Sequence, residues 1–101
     1  MSDIHAVLTV DDVLAYLGID YADDMVTTNI NRAIETAHGE LRESVGDDYP
    51  ETHPLTKELA LIYADVSYNQ RDMSANEEKR ADQIALKLRL VLRRGSNGAT
   101  V

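Results

Sequence analysis

The chain contains no cysteine, no tryptophan and no phenylalanine, and each absence removes a class of explanation. Without cysteine there is neither a disulfide framework nor a thiolate metal site. Without Trp and Phe, the interior must be built from Leu, Ile, Val, Ala and the rings of five tyrosines. No apolar run approaches the roughly 18 residues of a membrane span, and no basic-then-apolar leader opens the chain. The expectations are therefore no membrane, no secretory signal, and a mature protein that begins at or near Met1.

Positive charge is scarce as well. The formal net charge is -8, so the chain as a whole lacks the basic surface that draws proteins to phosphates. The imbalance sits almost wholly in one half. Residues 1–50 hold 11 acids and 2 bases, residues 51–101 hold 7 acids and 8 bases, and the halves stand at -9 and +1. Such polarity suits head-to-tail contact between identical subunits, and it equally suits a plain solvated acidic surface. At 101 residues a single domain is expected, with a core that buries about 60 to 70% of the unfolded surface. Oligomerisation would add burial.

What is present reads as helix. The stretch His53 to Arg71 has one charged residue in Leu59–Val66, and a helix apolar around nearly its whole circumference is buried on all sides. Ahead of it, residues 1–8 read as a lead-in without periodicity. Thr9 caps a short helix ending at Gly18, with Asp11 and Asp12 in its first turn and Val10, Val13, Leu14 and Leu17 on one narrow face that packs on one partner. Asp20 is the expected cap of a second helix. In it Met25, Val26, Ile30, Ala33, Ile34, Ala37, Leu41 and Val45 recur at steps of three and four until Gly46.

A loop follows over residues 46–52, and Pro54 fits a first helical turn capped by Thr52 or His53. Ser74-Ala75-Asn76-Glu77 has the form of a capping box, which starts a last helix striped by Ala81, Ile84, Ala85, Leu88, Val91 and Leu92. Within it Leu86–Leu90 alternates like a strand, but the helical stripe runs through unbroken. The fold class expected is all-α, a small bundle of about four helices with the third at its centre. The domain spans residues 1–94, with 95–101 a flexible tail by composition.

Little here carries chemistry. His5, His38 and His53 have no ligand spacing and read as surface or capping residues. Asp20, Asp23 and Asp24 lack the alternation and central Gly of a calcium loop, and capping explains them. No serine sits in a nucleophile elbow and no glycine-rich phosphate loop exists. The reading is therefore no enzyme, no cofactor and no metal. Lys79, Arg80, Lys87, Arg89, Arg93 and Arg94 raise the alternative of a small helical DNA-binding regulator, against which stand the missing aromatics and the interleaved Glu77, Glu78 and Asp82.

Leu8-Thr9-Val10-Asp11-Asp12-Val13, Tyr16-Leu17 and Ile19-Asp20, then Ile30, Ala33 and Ile34, then Pro54-Leu55 and Tyr68-Asn69-Gln70-Arg71, together resemble the head-tail connector (adaptor or head-completion) proteins of long-tailed phages and related tailed viruses. The resemblance covers residues 8–71; after Arg71 the chain departs, running on as a charged helix where the family often has a proline-containing linker. The resemblance implies a homo-oligomeric ring, typically a dodecamer, in the virion neck at the portal vertex. Its partners would be the portal protein on one side and a stopper or tail-completion protein on the other. Genomic DNA would pass through the lumen without sequence-specific binding. Tyr68, Asn69, Arg71, Lys87, Arg89, Arg93 and Arg94 are the candidate inter-subunit or portal contacts. The acidic half would line the channel, and the last helix and tail would reach the portal.

Overall fold

Capping chemistry sets where the helices begin. The computed structural model describes residues 2–100, with side chains through residue 94. Five helices follow in order: α1 (Ile4–Val7), α2 (Val10–Leu17), α3 (Asp24–Ser44), α4 (Pro54–Tyr68) and α5 (Ala75–Thr100). No strand occurs among the described residues. The protein is all-α, and Leu86–Leu90 lies inside α5. The backbone of α5 runs as helix through Thr100, across the boundary expected at residue 94, and Val101 lies outside the described residues.

Three starts match their signals closely. Thr9 Oγ1 accepts from the Asp12 backbone N–H at 3.1 Å while an Asp12 carboxylate oxygen accepts from the Thr9 N–H at 3.0 Å. This closes a reciprocal box at the head of α2. Ser74 and Glu77 do the same at the head of α5. Pro54 occupies the first turn of α4, and His53 caps it, its Nδ1 accepting from the Leu55 N–H.

Several expectations are corrected. The cap of α3 is Asp23 rather than Asp20, because the carboxylate three residues before Val26 is the one that reaches its N–H. Met25, on the exposed face of Asn29, Arg32 and Thr36, is 73% exposed instead of joining the apolar stripe. Residues 1–8 are not a bare lead-in: α1 sends Ile4 and Val7, and the following Leu8, into the core. Ser2 and Asp3 stitch this segment to the loop after α3, Ser2 N–H to the Asp47 carbonyl at 2.8 Å and Asp3 N–H to a Glu51 carboxylate oxygen. Finally, α4 stops at Tyr68, three residues short of Arg71.

The most extensive packing is α3 against α4; α5 lies along α4, while α2 and α1 contact both α3 and α4. The single-partner expectation for α2 is thus too narrow. From Glu58 to Tyr68 no residue of α4 is exposed, so the chain's own helices supply the cover that this apolar segment demands. Ile30, Ala33, Ile34, Ala37 and Leu41 of α3 meet Leu59, Ala60, Ile62, Tyr63 and Ala64 of α4 in one core with Ile84 and Leu88 of α5. Helix ends show the antiparallel course of the last three helices. Asn29 and Arg32 of α3 lie beside Tyr68 and Gln70, and Glu77 meets Arg71. At the opposite end Lys87, Leu90 and Arg94 lie beside His53 and Leu55.

Candidate functional site

The end of α4 is built by a Schellman arrangement. Gln70 N–H donates to the Ser67 carbonyl and Arg71 N–H to the Val66 carbonyl, both at 3.2 Å. Such an ending needs a left-handed residue, normally Gly. Here Gln70 takes that place with φ of 50°, a strained position for a residue with a Cβ.

Around this turn the candidate residues engage one another. Asn69 Nδ2 donates to the Asp65 side chain at 2.6 Å. Arg71 grips Glu77 through both terminal nitrogens, at 2.7 and 2.9 Å, and also donates to Asp65 at 2.9 Å and the Asp72 carbonyl at 3.0 Å. The guanidinium's hold, followed by the Ser74 backbone N–H, depresses the Glu77 carboxyl to about 2. Held by Glu77 and Asp65 in turn, Arg71 is shifted further up and stays charged. The visible work of Arg71 is to fix the α4–α5 turn. Tyr68 is half-buried and lines a polar cleft of about 370 Å³ with Asn29, Arg32 and Gln70.

The remaining candidates lie at the other end of the molecule. Lys87 and Arg94 flank an apolar groove of about 390 Å³ formed with His53, Leu55, Leu90 and Val91. Arg89 crosses to α3 and donates to the Ser44 carbonyl at 3.1 Å, tying down the C-terminal end of that helix. Arg93 is exposed. The structure therefore divides the candidates into two groups, Tyr68, Asn69 and Arg71 at one end of α4 and the four bases at the other.

Sequence reasoning missed two buried polar features and one half-exposed ion pair. Tyr49, placed in a loop, is 1% exposed; its hydroxyl lies 3.0 Å from His38 Nδ1, with the rings edge-on. Burial pushes its phenol up to about 12. Thr56, in the first turn of α4, is fully buried. Glu58 and Arg80 pair across α4 and α5 at 2.5 and 3.0 Å. Only the last had a signal, two opposite charges on neighbouring helices. His5 stays exposed, 3.3 Å from Glu35.

Among the described residues no group of three or more His, Cys, Asp or Glu side chains is placed to hold a metal ion, and no helix is long and apolar enough to cross a membrane. Comparison of the chain with protein-family models, with curated proteins and with solved structures gives no match.

Proposed function

We propose that this chain is a structural subunit of the neck of a tailed virus, one copy in a closed ring between the portal and the stopper or tail-completion proteins. The observation that carries the proposal is where the residues of the resemblance fall. Thr9 to Val13 form the capped head of α2, Pro54-Leu55 opens α4, and Tyr68 to Arg71 forms its strained, clamped ending. Residues that fix helix ends set the relative placement of helices, which a ring subunit must hold constant from copy to copy.

The charge layout supports the same reading. Acids outnumber bases on α2 and α3 and bases outnumber acids on α5, so identical copies would present unlike surfaces to each other, as a heterologous ring requires. Glu35, Glu40 and Glu43 of α3 are exposed and would keep passing DNA from adhering by repelling its phosphates. A ring offers a channel and a docking surface; its mechanism is mechanical, with no residue in a catalytic role.

Mixing the purified chain with portal protein, then measuring mass and imaging by negative stain, tests the proposal. Rings seated on the portal are expected. Duplex binding by the isolated chain with a steep salt dependence, and no association with portal, would replace it with a DNA-binding regulator.

A further inference from the structure

The large apolar side chains left exposed are few: Tyr16, Tyr21, Met25, Leu86 and Leu90. Four of them make two patches. Tyr21 and Met25, 76% and 73% exposed, stand at the α2–α3 junction with Asp20, Asp23 and Asp24 around them. Leu86 and Leu90, one turn apart on α5, are 52% and 36% exposed and are followed by Arg93 and Arg94. Asp23 is occupied as the α3 cap, while Asp20 and Asp24 are exposed.

Along the chain the residues flanking each pair carry mainly one sign, and the signs are opposite. Asp20, Asp23 and Asp24 stand beside Tyr21 and Met25, and Lys87, Arg89, Arg93 and Arg94 beside Leu86 and Leu90, with the exposed Asp82 one turn before Leu86. No Lys or Arg precedes Arg32 in the chain, and no Asp or Glu follows Asp82. Arg32 lies about two turns along α3 from Met25, and Asp82 about one turn before Leu86. Neither reverses the sign at its patch. The patches also sit at opposite ends of α4, whose 15 residues span about 22 Å. One molecule cannot close them on each other, and because they are different surfaces, a pairing between them is heterologous.

From this complementarity of charge and apolarity we infer that the Tyr21–Met25 patch of one copy receives the Leu86–Leu90 face of α5 from a second copy. The inference rests on the ring reading and names its contact. Four side chains are far short of the roughly 1,200 Å² that a stable pair buries. The contact is therefore weak as a single pair and gains strength where many copies close on one another.

Because the chain has no cysteine, paired single-cysteine variants test this directly. Met25→Cys and Leu86→Cys chains are mixed and oxidised, and the mixed dimer is read on a non-reducing gel. Cross-linking on the order of tenfold faster than for Asn31→Cys mixed with Leu86→Cys is expected, slowing as salt rises. A Met25→Cys/Leu86→Cys double variant is expected to give a ladder. In the cysteine background, Asp20→Lys with Asp24→Lys on the Met25→Cys chain should slow the reaction, and Arg93→Glu with Arg94→Glu on its partner should restore it. Rates equal to the Asn31 control, or charge reversal without effect or without rescue, would overturn the inference. Rings on the portal without this cross-link would discard the contact and keep the ring. Cross-linked ladders without portal association would keep the contact and discard the neck assignment.

Discussion

Thr56 offers the sharpest check on the packing of α4. Its side chain is fully buried, and its hydroxyl has no hydrogen-bond partner among the described residues. A buried hydroxyl left in that state costs about 1–3 kcal/mol. Replacing it by the methyl of valine removes that cost and adds apolar burial worth about 0.8 kcal/mol. Thr and Val have nearly equal helix propensity, and the backbone bond from Thr56 N–H to the His53 carbonyl, 3.0 Å, does not depend on the side chain. Thr56→Val should therefore stabilise the protein by about 2–4 kcal/mol. For a domain of this size each kcal/mol raises Tm by about 4–8 °C. Urea denaturation is the cleaner assay: the midpoint should rise while the slope m stays constant. Thr56→Ser is the control, since it keeps the hydroxyl and loses the methyl, and should destabilise by about 1 kcal/mol. If Thr56→Val proves no more stable than the native chain, the hydroxyl is satisfied in solution and the reasoning fails.

Two further outcomes follow from the geometry. Glu77 titrates at about 2 in the folded state against an ordinary 4.5, so its clamp on Arg71 contributes fully above the ordinary value and its contribution is lost as pH falls toward the folded one. Glu77→Gln should flatten the acid limb of a stability–pH profile across that window and weaken the protein at neutral pH; a profile parallel to the native one would show that the clamp does not stabilise the fold. Gly39 is exposed inside α3, with no heavy atom within 4 Å of an added Cβ, and Gly39→Ala should stabilise by about 0.5–1 kcal/mol. Gly18, with φ of +72°, should respond in the opposite direction by about 1–2 kcal/mol, and thermal melts of the two variants moving the same way would refute the assignment of these backbone positions.

What the sequence settled by itself was local. Thr9, Pro54 and Ser74 mark helix starts because a cap or a fixed φ acts within one turn, and the period of Ile30, Ala33, Ile34, Ala37 and Leu41 is a property of the helix they sit in. The apolar run Leu59–Val66 likewise announced burial, since nothing else accommodates a helix apolar on every side. Tertiary structure decided the rest. Asp23 prevailed over Asp20 as the α3 cap through backbone geometry that composition does not record. Tyr49 entered the core because His38, on a different segment, waited for its hydroxyl. Ile4 and Val7 found α3 and α4 far away in the chain. The two groups of candidate contacts came apart for the same reason: α4 and α5 run antiparallel, so residues close in sequence to the turn and residues further along α5 end at opposite ends of the bundle. The charge asymmetry was written in the sequence, and the helix boundaries divided it between α2 and α3 on one hand and α5 on the other.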